Sequence, residues 1–388
     1  MKYVCFIDIV FVYLSDNQIF MNNNKLLTFA KSVEDFRMNR KKLHPVENIV
    51  FITILALICN AQDWEEVQDF GNSRKDFFAK HLNLENGIPS HDTFNRFFSI
   101  YEPKSFQKIF LDWLSSLINI KEKHIAIDGK SCRGSRSKTG EMLHLLHAYL
   151  TDDCSFLGQE KTADKSNEIT AIPILLETLD LKDALVSIDA MGCQKEIASQ
   201  IISQQGDYLL AVKQNQKTLY EDIESAFLVH TKETNNEFFT EELNGSRVEK
   251  RICKTMTDRS HITQIEDWKN LKTIIKIETE VHHKSKEKTT KEKRYYISSQ
   301  LNTPEKFLNY TRNHWLIENK LHWSLDVIFG EDQSRKRNKN VTENFSIMLK
   351  LVLKLLQEKQ LENKKISIKR MRKMAAWNLD YLLEILNF

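Results

Sequence analysis

The sequence predicts an α/β protein in which a mixed sheet is flanked by helices and preceded by an all-helical segment. Residues 33–118 are helical in pattern, whereas residues 124–213 hold short apolar runs separated by Gly, Ser and Asp. In the later part of that stretch the apolar runs alternate with helical stretches. Such alternation is typical of parallel strands joined by crossover helices.

The helical segment begins with an apolar run at residues 49–61, which is too short to span a bilayer and predicts a buried helix. Ser90, with Asp92 in the first turn after it, predicts a helix start. We assign residues 33–120 to a helical N-terminal domain and residues 1–32 to an N-terminal extension. The apolar opening of that extension lacks a cleavage site, which favours an extra strand or an upstream start codon over a signal peptide.

The sheet elements follow in an informative order. Three strands joined by tight turns are predicted at "HIAIDGKS" (124–131), "MLHLLHAYL" (142–150) and "SFLGQEK" (155–161). They are followed by a helix at 167–179, the strand "ALVSIDA" (184–190), a helix at 194–204 and the strand "DYLLAVK" (207–213). Three antiparallel strands followed by two parallel ones is the order of a ribonuclease-H-like fold.

The rest of the chain completes this domain, which we place at residues 121–388. Residues 229–298 are polar, rich in Lys and partly alternating, which predicts a β-rich insertion. Thr303, Pro304 and Glu305 then form a helix-start pattern, and no further Gly or Pro occurs before Gly330. One long helix over residues 304–329 is therefore expected.

Composition limits the class of protein without naming its function. A hydrophobic fraction of 41% and a charged fraction of 28% are ordinary for a folded domain. The net charge of +3 means that a role with nucleic acid must come from local clusters. Six cysteines without a C-x-x-C pair argue against a disulfide framework or a zinc ribbon, and they fit a reducing cytoplasm.

Three carboxylates stand where a site could form. Asp128 and Asp189 each end an apolar strand, and ligands of open sheets bind beyond strand ends. Glu318 lies within the predicted helix beside its apolar stripe, so it can join them. Carboxylate oxygens suit two Mg²⁺ ions, or Mn²⁺, which can assist an in-line phosphoryl displacement. The alternative is that the aspartates only cap turns and the glutamate is solvated.

Several motifs carry a resemblance that covers nearly all of the chain after about residue 43. They are "FGNSRKDFFAKHL", "NGIPSHDTFNRFF", "IDGKSCRGS", "KSNEITAIPILLETLDL", "IDAMGCQKEIA", "GDYLLAVKQNQ", "RYYISS" and "RNHWLIENKLHWSLDVIFGED". The sequence resembles the H-repeat-associated insertion-sequence transposases, a DDE group. The resemblance implies that Asp128, Asp189 and Glu318 are the catalytic and metal-binding triad.

One part of the family pattern differs. Wider relatives carry an Arg four residues before the glutamate and a Lys seven after it, and His314 and Leu325 occupy those positions here. Arg312 lies nearby, so the sequence leaves open which cation contacts the transferred phosphate. His322, one turn after Glu318, can contact a phosphate, order Glu318 or have no role.

Contacts to DNA are expected from basic and polar residues near these motifs, although each can equally be a solvated surface residue. The candidates are Lys130, Arg133, Lys213, Asn215, Arg312, His314, His322, Arg335 and Arg337. Basic clusters at residues 284–294, 335–339 and 364–373 are further candidates for backbone contacts. Trp315 and Trp323 can stack on an unpaired base or pack in the core.

The resemblance implies a DNA transposase that cuts one strand at each transposon end with an activated water and joins the freed 3′ hydroxyl to target DNA. Its partners would be the terminal inverted repeats, bound with the help of the N-terminal helices, and the target duplex. A homodimer on DNA at the cytoplasmic nucleoid is expected, without a membrane. Two alternatives are a metal-dependent nuclease without strand transfer and a catalytically silent DNA-binding protein derived from a transposase.

Overall fold

A computed structural model of the chain describes residues 25–38, 42–115, 123–136, 142–162, 168–229, 236–284, 288–336 and 338–386. The described residues form two compact units. The first unit takes residues from 25–115, 133–136 and 323–386, and the second takes residues from 123–132 and 142–322. Most of the N-terminal extension predicted at residues 1–32 lies outside the described residues, which begin with a helix at Lys25–Ser32.

The first unit is built from helices in the part of the chain that the structure describes. They are α1 (Lys25–Ser32), α2 (Val46–Ile58), α3 (Trp64–Ser73), α4 (Lys75–Ala79), α5 (His91–Ile100), α6 (Pro103–Ser115), α11 (Lys339–Glu362), α12 (Ile368–Trp377) and α13 (Leu379–Ile385). The buried helix predicted from the apolar run is α2, and the helix start predicted at Ser90 is confirmed, because its side chain caps α5.

Aromatic side chains fill the core of this unit around α11. The Trp64 ring stacks on Phe94 and Phe98 and meets the edge of Phe345, with centroids 5.3 to 6.3 Å apart. Asn344 of α11 donates hydrogen bonds of 2.9 Å to the carbonyls of Phe98 and Tyr101 at the end of α5. The buried face of α11 is thus fixed to α5 by packing and by polar contacts.

The second unit contains a mixed sheet, and its strands in the described residues are β1 (Lys123–Cys132), β2 (Leu143–Leu150), β3 (Ser155–Thr162), β4 (Ala184–Ile188), β5 (Asp207–Val212), β6 (Glu237–Asn244), β7 (Arg247–Met256), β8 (Thr273–His283) and β9 (Lys288–Ser298). Their order is β3-β2-β1-β4-β5-β9-β8-β7-β6. The pairs β1–β4 and β4–β5 are parallel, and the other pairs are antiparallel. The strands predicted at residues 124–131, 142–150, 155–161, 184–190 and 207–213 are all present.

Helices cover the central strands on both faces. Alternate residues of β4 belong to different apolar clusters: Val186 packs with α7 (Glu168–Glu177), α8 (Lys195–Ser203) and α9 (Lys217–Val229), whereas Leu185 packs with α10 (Pro304–His314). Since successive side chains of a strand point to opposite faces, the central strands are buried on both sides.

The long helix expected over residues 304–329 is α-helical only in its first half. Helix α10 begins at the predicted Thr303 cap but ends at His314, and π-helical segments follow at Ile317–His322 and Ser324–Ile328. Gly330, in the left-handed conformation with φ 69°, follows the last helical turn as expected. A widened π turn needs no Gly or Pro, so the residue pattern could not reveal it.

Among the helices of the described ranges, none is both long enough and apolar enough to cross a bilayer.

We expect Arg372 to be essential to the stability of the first unit. Arg372 is 1% exposed, and its guanidinium donates to the carbonyls of Leu57 and Ile328 and lies 4.2 Å from the centre of the Phe329 ring. Arg372→Met keeps an apolar stem but removes the donors, so urea unfolding should show a loss of about 2–4 kcal/mol. Exposed Lys373→Met should change stability by less than about 0.5 kcal/mol, and equal losses in both variants would contradict this role.

Candidate active site

The first two carboxylates follow paired residues of adjacent parallel strands. In the β1–β4 ladder, Ile127 is the partner of Ile188, so Asp128 and Asp189 are the next residues on each strand. Neighbouring strands lie about 4.8 Å apart. Asp128 and Asp189 therefore lie beside each other where the β1–β4 pairing ends. Asp189 follows the end of β4 as expected, but the expectation that Asp128 ends its strand is wrong, because β1 continues to Cys132 in its pairing with β2.

Asp189 also has a local structural role. Its side chain accepts a 3.0 Å hydrogen bond from the backbone N–H of Met191 and caps a short 3₁₀ turn at Ala190–Gly192. This is the turn-capping alternative considered above, and it leaves the second carboxylate oxygen for other contacts. A cap of this kind fixes the direction of the side chain at the strand end.

Glu318 reaches the same region from the π-helical segment Ile317–His322, which packs against β1. Its side chain is exposed, whereas Ile317 and Leu321 on either side of it are buried. The apolar residues thus hold the segment on the sheet while the carboxylate remains accessible. Single π turns of this kind occur often at functional sites.

The charge around Asp128 is unusual. Burial raises the pKa of its carboxyl to about 7, and the negative charges of Glu318, Asp189 and Glu168 contribute to that rise against a hydrogen bond from the Gly129 N–H. Asp128 is therefore repelled by three other carboxylates at once. Glu168, in the first turn of α7, was not identified from the sequence because a first-turn acid is ordinary in a helix.

A pair of histidines lies on the other side of Asp128. His322 Nδ1 is 3.7 Å from Asp128 Oδ2, and His322 Nε2 is 2.9 Å from His147 Nδ1. Both imidazoles are buried, and His147 belongs to β2 directly opposite Asp128 in the ladder. His322 is thus placed to orient Asp128, whereas the sequence had suggested Glu318 or a phosphate as its contact.

A second polar chain runs through the core beneath Asp189. Thr151 Oγ1 is 3.0 Å from His124 Nδ1, and Ser187 Oγ lies 2.9 Å from both His124 Nε2 and His314 Nδ1. Burial lowers the pKa of His124 to about 3 and that of His314 to about 4, although the charge of Asp189 opposes the second shift. His314 is therefore a neutral imidazole at neutral pH and brings no positive charge.

Basic side chains line the same cavity as Asp189. A cavity of about 430 Å³ is lined by Asp189, His314, Trp315, Lys213 and Arg294, among others. The Arg294 guanidinium lies 5.3 Å from the centre of the Trp315 ring and forms hydrogen bonds of 2.8 and 3.0 Å with Glu292. The sequence identified Lys213 individually, and Arg294 belongs to the basic cluster predicted at residues 284–294.

The remaining predicted DNA contacts have varied surroundings. Lys130 is buried at 6% exposure, whereas the side chain of Arg133 is 79% exposed and Arg335 is also exposed. Asn215 donates a 2.6 Å hydrogen bond to the Ala190 carbonyl, so it holds the turn that follows Asp189. Arg312 forms hydrogen bonds of 2.7 and 2.8 Å with Glu242. Arg337 lies outside the described residues.

Two members of the predicted basic clusters are partly or wholly withdrawn from solvent. Arg372 is buried, as described above, and Lys336 is half-buried. Lys336 Nζ donates a 2.7 Å hydrogen bond to the Gln62 carbonyl and lies 3.7 Å from the centre of the Phe345 ring. Both cations contact the helical unit itself. The number of basic residues in these clusters is therefore larger than the number available to contact DNA.

The donor atoms around Asp128 suit a hard divalent cation. Asp128, Asp189 and Glu318 offer carboxylate oxygens, which Mg²⁺ and Mn²⁺ prefer. Within the described ranges, however, no group of three or more His, Cys, Asp or Glu side chains is arranged to hold a metal ion. These three side chains would therefore have to turn toward a cation in order to bind it together.

Comparison with known proteins places the chain in a family. The chain belongs to the DDE transposases, because the family model described as "Transposase DDE domain" matches residues 119–355. The model described as "DDE_Tnp_1-associated" matches residues 27–114.

Particular relatives agree with this. "Putative transposase YncI" of Escherichia coli O157:H7 is 39% identical over 94% of this chain and 95% of its own length. "H repeat-associated putative transposase YhhI" of Escherichia coli strain K12 is 37% identical over 94% of this chain and 98% of its own length. The resemblance to H-repeat-associated transposases is therefore confirmed.

One solved structure is also similar in outline. A piggyBac transposase in a synaptic complex with hairpin DNA aligns with a TM-score of 0.45 and 10% identity, over 94% of this chain and 78% of that chain. A likeness of this size carries no argument about the present site.

We expect Ser187 to hold the two buried imidazoles in place. Ser187→Ala removes the hydroxyl shared by His124 and His314, so each ring loses a hydrogen-bond partner in the core. Urea unfolding should show a loss of about 1–3 kcal/mol. Ser203→Ala is the matched control, because Ser203 is exposed at the end of α8. A Ser187 variant as stable as the control would contradict the structural role.

The partly buried ammonium of Lys336 predicts a pH effect. Burial lowers the pKa of Lys336 to about 8, despite nearby Asp63, Glu65 and Glu66, from an ordinary value of 10.5. Between these two values the unfolded chain binds the proton and the folded protein does not, so this residue makes stability rise with pH. The stability of the parent relative to Lys336→Met should therefore increase between pH 8 and pH 10.5. Lys364 is exposed, so the stability of the parent relative to Lys364→Met should not change with pH over this range. If the stability difference between the parent and Lys336→Met is also independent of pH, the lowered pKa of Lys336 is refuted.

Proposed function

We propose that this member of the DDE transposases is an active DNA transposase whose catalytic residues are Asp128, Asp189 and Glu318. The observation that carries the proposal is the register of β1 and β4, which brings the two aspartates side by side where that pairing ends. The repulsion that Asp128 receives from Glu318 supports the inclusion of the glutamate. The strand order β3-β2-β1-β4-β5 supports a ribonuclease-H-like catalytic domain within residues 121–388, with a β-rich insertion at about 229–298.

Two Mg²⁺ ions, or Mn²⁺ in their place, would lower the pKa of a bound water and stabilise the charge of the leaving oxygen. Asp128, Asp189 and Glu318 would hold these ions through carboxylate oxygens. His322 restrains Asp128 from one side, and the turn after Asp189 is held by Asn215. These contacts limit the freedom of the two aspartates, which favours a fixed reacting geometry.

The chemistry consists of two displacements at phosphorus. In the first, a water oxygen attacks the phosphate at the transposon end, the bond to the 3′ oxygen breaks, and a 3′ hydroxyl and a 5′ phosphate result. In the second, that 3′ hydroxyl attacks a target phosphate, so one phosphodiester bond forms as another breaks. No residue of the chain becomes covalently attached to DNA in either step.

The positive side of the site comes from residues other than those at the family positions. His314 is neutral and Leu325 is apolar, whereas Lys213 and Arg294 line the cavity beside Asp189. We assign contacts with the DNA backbone to these two cations. Exposed Arg133 and Arg335 are further candidates for backbone contacts. To bind a phosphate with the same donors, Arg294 would have to exchange its two hydrogen bonds with Glu292 for hydrogen bonds to the phosphate.

The remaining assignments follow from what the reaction needs. Both transposon ends must be held together, which requires at least two copies of the chain on DNA. The helical domain at residues 33–120 would bind the terminal inverted repeats, and the catalytic domain would bind the target duplex. Such a protein would work in the cytoplasm at the nucleoid.

The decisive experiment uses DNA that carries the sequences flanking the gene, with Mg²⁺ present. Asp128→Asn, Asp189→Asn and Glu318→Gln should each lower the rate of end cleavage by at least about a thousandfold. Glu305→Gln is the matched control, because Glu305 is an exposed acid in the first turn of α10. Cleavage by gel assay that survives in Asp128→Asn would overturn the site assignment.

Two further results separate the alternatives. Precut ends incubated with target DNA should yield joined products, and cleavage without joining would favour a nuclease. If the parent protein binds the flanking DNA but never cuts it, the catalytically silent DNA-binding protein is the better reading. Binding by the three carboxylate variants should match the parent, because none of the changes removes a cation.

A further inference from the structure

Helix α12 has two faces of different character. Ile368, Met371 and Ala375 are buried, and Arg372 beside them donates to carbonyl groups of the first unit. The residues on the opposite side are exposed, and they are Lys369, Arg370, Lys373 and Trp377. At 3.6 residues per turn, these four positions fall within about 100° of the helix circumference. They therefore form one surface, which we call the basic face of α12.

The cations of the basic face are not paired with acids. Residues 364–377 contain six basic residues and no acidic residue. Within the described part of the chain, none of the three cations of the face forms an ion pair with a carboxylate. Glu362 and Glu384, from the adjacent helices α11 and α13, lie instead 2.6 and 3.4 Å from Lys359 Nζ. The positive charge of the face is thus left uncompensated by the protein.

Paired cations are common elsewhere on the described surface. Examples with N–O distances of 2.7 to 3.5 Å are the pairs Lys250–Glu241, Lys291–Glu280 and Arg312–Glu242. The basic cluster at residues 284–294 also contains two acids, Glu287 and Glu292. A run of charge is usually only a solvated surface. Three neighbouring cations with no acid among them repel one another, and a polyanion bound across them would offset that repulsion.

We propose that the basic face of α12 binds the phosphate backbone of duplex DNA without regard to base sequence. The proposal rests on the proposed function, which supplies DNA as the partner. It gives the first unit a DNA surface that contains none of the three catalytic carboxylates. From Lys369 to Trp377 the face covers about 12 Å of the helix axis, whereas the phosphates of one strand rise by about 3.4 Å each. Several phosphates are therefore within the length of the face.

The composition of the face favours a nucleic acid over a lipid surface. A helix that lies on a membrane inserts its apolar side, but the apolar side of α12 is occupied by the core of the first unit. Among the four residues of the basic face, Trp377 alone is apolar, and it is 76% exposed. An aromatic ring beside cations is typical of nucleic-acid surfaces, where the ring packs on a sugar or a base.

Binding of the full chain to a duplex of unrelated sequence tests the proposal, with fluorescence anisotropy measured over a range of salt concentrations. The triple variant Lys369→Gln, Arg370→Gln and Lys373→Gln should bind at least about tenfold more weakly at about 100 mM salt. The slope of log affinity against log salt concentration should become less steep by about 2 to 3, since each lost phosphate contact removes about 0.9. The matched control should keep the parental affinity and slope, and it replaces three exposed lysines of the second unit, as Lys182→Gln, Lys269→Gln and Lys306→Gln.

Trp377→Ala separates the contribution of the ring from that of the charges. It should weaken duplex binding about threefold and leave the salt slope as in the parent, because no cation is lost. A Trp377 variant with the parental affinity would show that the ring does not contact DNA. The melting temperatures of this variant and of the triple variant should match that of the parent, since all four side chains are exposed.

The outcomes distinguish this inference from the proposed function. If the triple variant binds the duplex with the affinity and slope of the control, the basic face is refuted as a DNA surface, whereas cleavage by the parent would still support the proposed function. If that variant instead loses the binding of the parent to phosphatidylserine vesicles, the partner is a membrane and the inference is wrong. Weaker duplex binding by the triple variant, with no cleavage by the parent, would support the basic face and refute the proposed function.

Discussion

The parallel pairing of β1 with β4 is the constraint on which the rest of the site depends. Backbone hydrogen bonds fix its register, so Asp128 and Asp189 lie beside each other whatever their side chains prefer. Helices packed on both faces keep the two strands in the interior. A shift of the register by one residue would turn their side chains to the opposite face, so burial of the strands stabilises the observed register. The site therefore takes its geometry from the sheet.

That geometry has an electrostatic cost. Burial and the repulsion from neighbouring carboxylates together raise the pKa of Asp128 to about 7. His314 is neutral, and His322 Nδ1 lies 3.7 Å from Asp128 Oδ2. Under the proposed function, a divalent cation held by these carboxylates would offset their repulsion.

Local signals were sufficient for much of the fold. Neighbouring residues encode the helix caps at Ser90 and Thr303, so the sequence predicted them. The same holds for the apolar strand residues before Asp128 and Asp189. The π-helical segment around Glu318 was missed, because its register results from packing rather than from Gly or Pro. Resemblance to relatives identified the carboxylates themselves, and residue pattern alone could not separate them from turn caps.

Long-range contacts determine which basic residues are available to bind DNA, and the sequence does not show these contacts. Arg372 belongs to a run of basic residues, yet it is 1% exposed and donates to helix carbonyls far away in the chain. Arg294 looks equally ordinary, yet the fold places it over Trp315 in the cavity beside Asp189. Position in the fold, not local charge density, decides which cations can meet a phosphate. His314 is neutral where wider relatives carry an Arg, and the fold instead brings Lys213 and Arg294 to the cavity that Asp189 lines.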